Sequence, residues 1–370
     1  MALFGLFLIT VVLAVLTYFL FASFSRHRDV LTRRWRASGE AALKNGHPEE
    51  AIQDLHSALE YAPGNRDIEI ELAMALAAAG RNLEAAAYFN SLLDAQPGNG
   101  LIHLQLARLA AKQKNAALAI EHYQNALDGT WEGDGYQRRL SVRLELAGYL
   151  ISQKNYQRAQ TELRTAAGNA PDRPAIQLQI AGLMEQAHDQ TDALDIYRKL
   201  MRQRDAPVEA FEGAGRTAYA VGRIALAHDA LVRATAQAGF AKQDEITRTN
   251  VRQMLDNATR ILELYPDPNL KVRALAERIA ANAKIARARL TDCFANTNSA
   301  GALAELQNQW QQVPVRLSVR ELERNPQLEQ TTMSLVYDTE EQTAQVCGAP
   351  TGDDALLLKI AQAPLAVQQQ

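Results

Sequence analysis

The sequence predicts an all-α fold: a superhelical solenoid of about six stacked helix pairs, preceded by one apolar N-terminal helix and followed by a C-terminal helical cap region. Three observations lead there. Ala51, Ala85, Ala119, Ala159, Ala193 and Ala227 recur at spacings of 34, 34, 40, 34 and 34 residues, and a fixed period of this size is the imprint of a repeat architecture. The 370-residue chain is 47% hydrophobic yet holds only 20 glycines and 12 prolines, a balance that suits helices. From Leu3 to Phe24 no residue is charged.

That first stretch predicts a helix reaching roughly 30 Å, enough to cross a bilayer core. A cleaved signal peptide, the alternative, would need a basic start, a shorter apolar run and small residues before the cut, of which only the last is met, by Ala22 and Ser23. The expectation is therefore a single-pass transmembrane anchor over 1–25, contacting the membrane through residues 3–24, with aromatic residues Phe4, Phe7, Tyr18, Phe19, Phe21 and Phe24 near its ends. A basic juxtamembrane segment, 26–31, follows. Arg26, Arg28, Arg33, Arg34 and Arg36 crowd behind the span while only the amino terminus is charged ahead of it. Positive flanks stay on the cytoplasmic side, so the soluble part is expected to face the cytoplasm of an inner (plasma) membrane, with a periplasmic-facing chain as the alternative.

Residues 32–241 divide into units 32–65, 66–99, 100–133, 140–173, 174–207 and 208–241. The first carries Trp35, Gly39, Gly46, Ala51, Leu55, Ala58 and Pro63, and the second Leu72, Ala73, Leu76, Gly80, Ala85, Phe89 and Pro97; both end in Pro-Gly-Asn. Leu106, Ala107, Ala119, Tyr123 and Ala126 mark the third, Leu146, Ala147, Ala159, Leu163, Ala166 and Pro171 the fourth. Ile180, Ala181, Met184, Ala193 and Tyr197 mark the fifth, and Phe211, Gly215, Gly222, Ala227, Leu231 and Ala234 the sixth. Six extra residues separate units three and four, around Trp131, which is expected either to fold back on the neighbouring helices or to serve as a docking aromatic.

This pattern of small residues at unit positions 8, 20 and 27, large ones at 4, 7, 11 and 24, and proline near 32 resembles the tetratricopeptide repeat (TPR). The resemblance implies two helices per unit, A and B, whose backbones meet at the small positions. Each pair leaves an apolar face that only a neighbour can bury, so the units stack and leave a concave side formed by A helices. Unit positions 2, 5, 9 and 12 share one helical stripe. They nominate Ile70, Met74, Leu101, Leu104, Arg108, Leu144, Ile151, Leu178 and Tyr219 as a partner groove, apolar in its middle. Family members that grip a C-terminal carboxylate use Lys, Asn and Arg on successive A helices; here the matching places hold Arg36, Glu40, Glu71, Leu101 and Gln105. An amphipathic helix or an extended apolar segment of a protein partner suits such a groove better. The chain's own C-terminal helices are an equal candidate to occupy it. Replacing Leu104 and Leu144 with Glu is expected to abolish capture without unfolding.

Over 242–370 the alanine register is lost. Periodicity predicts helices over 244–264, 269–295, 300–312, 318–324, 327–346 and 353–362, with Ala274, Ile279, Ala283, Ala286 and Leu290 as the apolar stripe of the second. Cys293 and Cys347 are the only cysteines. Their spacing makes no metal site, and buried free thiols or a disulfide both stay open, the bridge fitting an oxidising compartment. No catalytic or phosphate-binding motif occurs, the seven histidines are scattered, and Gly213-Ala-Gly215 falls at the close-packing positions. With 39 basic against 42 acidic residues, no field attracts nucleic acid.

The expected function is thus a non-enzymatic, membrane-tethered scaffold or adaptor in envelope complex assembly or regulation, needing no cofactor, metal or small-molecule substrate. The layout is similar to that of membrane-anchored repeat adaptors controlling lipopolysaccharide synthesis, but lacks their paired Cys-x-x-Cys knuckle. The alternatives are a periplasmic assembly factor or chaperone with the same fold and, more remotely, an enzyme with its site in 242–370.

Overall fold

Short capping side chains and breakers set the helix ends. Asn65, Asn99 and Asn115 each accept a backbone N–H from the first turn of the helix they precede, and Asp134 and Asp244 do the same. The computed structural model describes the backbone of residues 2–296 and 300–362 and, within these, all side chains except those of residues 2–12, 296, 300 and 302. The described residues form eighteen α-helices and no strand, with one isolated bridge between Asn99 and Thr130.

The helices are α1 (Ala2–Lys44), α2 (Pro48–Tyr61), α3 (Arg66–Ala78), α4 (Asn82–Ala95), α5 (Gly100–Lys112), α6 (Ala116–Asp128), α7 (Gly135–Ser152), α8 (Tyr156–Asn169), α9 (Pro174–Gln186), α10 (Gln190–Met201), α11 (Val208–Ala220) and α12 (Ile224–Thr235). Then come α13 (Glu245–Leu264), α14 (Val272–Asn296), α15 (Ala300–Gln311), α16 (Val319–Arg324), α17 (Pro326–Cys347) and α18 (Gly352–Gln362). The chain divides into two compact units, Met1–Arg158 and Ala159–Gln370. The division falls inside α8 and not after residue 241, where the alanine register ends.

Within the first unit, α1 packs on α2, α3 on α2 and α4, and α5 on α4 and α6. The register alanines Ala51, Ala85 and Ala119 are fully buried there, as are Ala159, Ala193 and Ala227 in the second unit. Close approach explains why these places stay small. A Cβ on Gly39 would lie 2.7 Å from Leu55 Cγ, and one on Gly215 2.5 Å from Leu231 Cγ. Gly213 is tighter still, 2.3 Å from Tyr197 Cζ, so the Gly213-Ala-Gly215 run is a packing feature.

The A-to-B turn repeats one backbone conformation. Unit position 15 is left-handed in all six repeats: Gly46, Gly80 and Gly222 have φ of 78°, 80° and 80°, and Lys114, Lys154 and His188 have 59°, 58° and 61°. Glycine adopts this at no steric cost, whereas the other three carry Cβ strain that the fold overrides.

Two expectations about the chain's first half are revised. The six extra residues do not all enter a loop, because α7 begins at Gly135, five residues ahead of its unit, and only 129–134 remain outside helices. That loop is pinned: Gly100 N–H donates to Thr130 O at 2.9 Å and Thr130 N–H to Gly98 O at 2.7 Å. Arg139 also caps the end of α6, donating to Leu127 O and Gly129 O. As for the anchor, no helix among the described residues is long and apolar enough to cross a membrane. The side chains of 3–12, the first half of the expected span, lie outside the described residues, and 13–24 alone would reach only about 18 Å. The stretches expected to be anchor, juxtamembrane segment and first A helix form one uninterrupted helix, α1.

In the second unit α13 packs on α12, and α14, α15, α16 and α18 gather around α17. Their shared core includes Ile279, Ala283, Ala286 and Leu290 of the expected stripe, with Ala276 buried in place of Ala274, which is exposed. Trp310 is buried there, its Nε1 donating to Thr339 Oγ1 at 2.8 Å, with the Arg287 guanidinium over its ring. Cys293 and Cys347 are joined in a disulfide with Cα atoms 5.8 Å apart.

Candidate interaction surface

The first unit holds a cleft of about 810 Å³ on its A-helix side, lined by Ile70 and Met74 of α3, Leu101 of α5, and Pro97 and Trp131 of the adjoining turns. Its end is polar. There Arg36 grips Glu71 through Nε and Nη2, and Arg138 stands over the Trp131 ring. Arg36 is thereby occupied and offers a C-terminal carboxylate little. Trp131 folds back on the neighbouring helices, its Nε1 donating to Ala126 O at 2.9 Å and its ring covering Gly100, and the same ring lines the cleft.

The nominated stripe is more buried than its spacing suggested. Leu104 and Leu144 are only 8% and 7% exposed and Ile70 is buried too, whereas Met74, Leu101 and Ile151 are half-exposed. A charge at Leu104 or Leu144 would enter the core, so those substitutions are not clean probes of binding.

Arg108, another nominated residue, is committed to an ion pair. Its Nε and Nη2 donate to Glu145 at 2.8 and 2.7 Å, and the Tyr123 hydroxyl donates to the same carboxylate at 2.9 Å. Burial pushes Glu145 up, but the Arg108 bonds outweigh it and hold the carboxyl below its usual range. Burial and Glu145 together raise Tyr123.

The second unit repeats this arrangement. Tyr197 donates to Glu185 Oε1 at 2.6 Å, and Arg216 closes on both oxygens at 2.7 and 2.8 Å. Leu178 is half-exposed. Tyr219 is not a free groove residue: Lys359 of α18 sets its Nζ 4.5 Å from the ring centroid, and Tyr219 lines a cleft against α13. At the last repeat, then, the chain's own C-terminal helices do flank the stripe.

Residues that the stripe did not nominate include Glu145, Tyr123 and Tyr197 and a histidine pair, whereas Glu185 stands at unit position 12 of the stripe itself. His103 and His122 bring their Nδ1 atoms to 3.1 Å, and His103 Nε2 lies 2.9 Å from Pro97 O. The described residues gather no group of three or more His, Cys, Asp or Glu able to hold a metal ion.

Stacked helix pairs with a lined A-helix cleft define a helical-repeat protein. Residues 36–100 and 70–134 match a family model described as tetratricopeptide repeat, so the stretch 36–134 carries tetratricopeptide repeats. No curated protein matches the chain in sequence. Among solved structures, PilF of Pseudomonas aeruginosa is 16% identical, with 61% of this chain and 99% of that one covered and a TM-score of 0.42. PilW, a widely conserved type IV pilus biogenesis factor, is 16% identical over 60% of this chain and 98% of its own, with a TM-score of 0.42. The complex of the yeast Sti1 TPR2AB domain with pHSP90 is 15% identical over 62% and 99%, with a TM-score of 0.27.

Proposed function

We propose that this protein is a non-catalytic, membrane-tethered scaffold that captures a protein partner on its A-helix side, in assembly or regulation of an envelope complex. The observation that carries the reading is the cleft of about 810 Å³ walled by Ile70, Met74, Leu101 and Trp131. Apolar walls with polar ends suit an amphipathic helix or an extended apolar segment. The tether is supported by the large apolar side chains of α1: Leu13, Val15, Leu16, Tyr18, Phe19, Leu20, Phe21 and Phe24 are all 50–71% exposed. Such a patch in water carries a large hydrophobic cost that lipid relieves.

The full chain, solubilised in mild detergent and affinity-purified, should retain a partner that the Met74→Glu/Leu101→Glu variant loses while keeping its helical circular dichroism. Undiminished capture by the variant contradicts the cleft. Extraction of the wild-type chain from membranes by alkaline carbonate contradicts the tether.

Arg26, Arg28, Arg33, Arg34 and Arg36 support a cytoplasmic repeat region. The Cys293–Cys347 bridge favours a second reading, an assembly factor or chaperone on the opposite, oxidising side. A cysteine placed at exposed Leu83 distinguishes them: labelling of intact cells by an impermeant maleimide favours the second reading, and labelling only after permeabilisation the first.

A further inference from the structure

The second unit's cleft differs in chemistry from that of the first. It encloses about 380 Å³ between α11, which supplies Glu212, Arg216 and Tyr219, and α13, which supplies Asn250, Gln253 and Met254. Ligand sites run from about 300 Å³ upward, so the space fits one long side chain or a small molecule. Glu212 is 6% exposed, lines the cleft, and has an enclosed Oε1 without a hydrogen-bond partner. A buried carboxylate oxygen left without a donor is costly, and a donor brought by a ligand removes that cost.

The charge balance says which donor. Arg216 is the cation nearest this carboxylate in the cleft wall, and its Nε and Nη2 are already spent on Glu185. Glu209 and Asp244 add negative charge: burial first, then these two carboxylates, raise the Glu212 pKa, against Arg216. The excess is negative, while Leu231, Val251 and Met254 give the cleft apolar walls. An anion is repelled, and a neutral ligand leaves the carboxylate without its counter-charge. A cation on an alkyl stem satisfies both parts, its methylenes on the walls and its N–H groups on the carboxylate.

We propose that this cleft binds an alkylammonium or guanidinium group, the lysine or arginine side chain of a peptide partner, with Glu212 as counter-ion and the amide oxygens of Asn250 and Gln253 as further acceptors. The inference rests on the A-helix side being where partners dock, and it adds the chemistry of one contact.

The test uses the full chain in detergent and fluorescence anisotropy of two labelled pentapeptides, one with a central lysine flanked by leucines and one with norleucine in its place. The wild type should bind the lysine peptide at least tenfold more tightly. Glu212→Gln, which keeps the side-chain shape, should bring the ratio near one. So should Gln253→Lys, an exposed position from which the new ammonium fills the cleft. A ratio near one in the wild type, absence of binding to both peptides, or a ratio kept in Glu212→Gln overturns the proposal. A separate arm titrates n-butylamine against n-butanol: binding of the amine without selective binding of the lysine peptide supports the ammonium site and overturns its peptide source. The Met74→Glu/Leu101→Glu variant lies in the other unit and should keep the lysine preference, so failure here and failure of the apolar cleft are read apart.

Discussion

The Tyr197 hydroxyl donates to Glu185 Oε1 at 2.6 Å, and Arg216, from the following repeat, closes on the same carboxylate. Tyr123, Glu145 and Arg108 form the equivalent set two repeats earlier in the chain, with the glutamate now supplied by the following repeat. In both, a tyrosine at unit position 24 and an arginine at position 9 meet on one carboxylate, so the bond pattern ties a repeat to its successor. Removing one neutral donor costs about 1 kcal/mol, and removing the acceptor strands two donors and costs about 2 kcal/mol. Tyr197→Phe and Glu185→Leu should follow that order in urea unfolding; equal midpoints for Glu185→Leu and wild type would refute the tie.

Helical glycines of this chain should split into two classes. Gly148 and Gly182 lie within helices with nothing inside 4 Å of an added Cβ, whereas Gly213 lies against the Tyr197 ring. Alanine is favoured over glycine in a helix by about 1 kcal/mol. Gly148→Ala and Gly182→Ala should therefore raise stability by roughly 0.5–1 kcal/mol each. Gly213→Ala should lower it by about 1–3 kcal/mol despite the same propensity gain, because overpacking dominates. Thermal melts read both signs, and a stabilised Gly213→Ala would show that the Tyr197 contact is looser than described.

Glu340 of α17 is fully buried, with no N–H or O–H donor on either carboxylate oxygen and the Asp354 carboxyl within hydrogen-bonding reach once one of the two is protonated. Burial and then Asp354 push its pKa up to about 8 from the ordinary 4.5, against the pull of Arg289. The folded state thus holds a proton that the unfolded chain releases. Stability from this group is complete below pH 4.5 and declines as pH rises toward 8, by up to about 5 kcal/mol in order of magnitude. Glu340→Gln should flatten unfolding free energy between pH 5 and pH 8; an unchanged slope would assign the dependence to other groups.

Reduction of the Cys293–Cys347 bridge should destabilise the second unit. The bridge closes a loop of 54 residues, for which chain entropy gives about 4 kcal/mol. Dithiothreitol should lower the melting temperature of the wild type and leave that of Cys347→Ser unmoved. Equal melting of reduced and oxidised wild type would mean that α14 and α17 hold together without the link.

The repeat was legible because tight contacts leave an imprint. Gly39 and Gly215 stand where any Cβ would strike Leu55 or Leu231, so their spacing in the sequence is the spacing of the helix pairs. The Pro-Gly-Asn ends of the first two units were equally readable as turns, and the structure adds that Asn65 and Asn99 cap the helices that follow. The C-terminal helices showed through their prolines, and each lies within a few residues of expectation. What stayed hidden depends on distance along the chain. Arg108 meets Glu145 across 37 residues and Tyr123 meets it across 22, and no local pattern joins them. Cys293 and Cys347 likewise gave a choice and no answer. Burial of Leu104 and Leu144 was missed because the stripe period gives a side chain's direction and not the depth of the wall beside it. Lys114 and Lys154 hide a left-handed turn that Gly46 and Gly80 advertise.

The central claim is capture of a partner by the first unit's cleft, and photo-crosslinking inside the cell tests it most directly. A benzoylphenylalanine replacing Met74 or Leu101 should give one discrete crosslinked species, while the same residue at Leu83, exposed on α4, should give none. Crosslinks of equal yield from all three positions, or from Leu83 alone, would contradict the account.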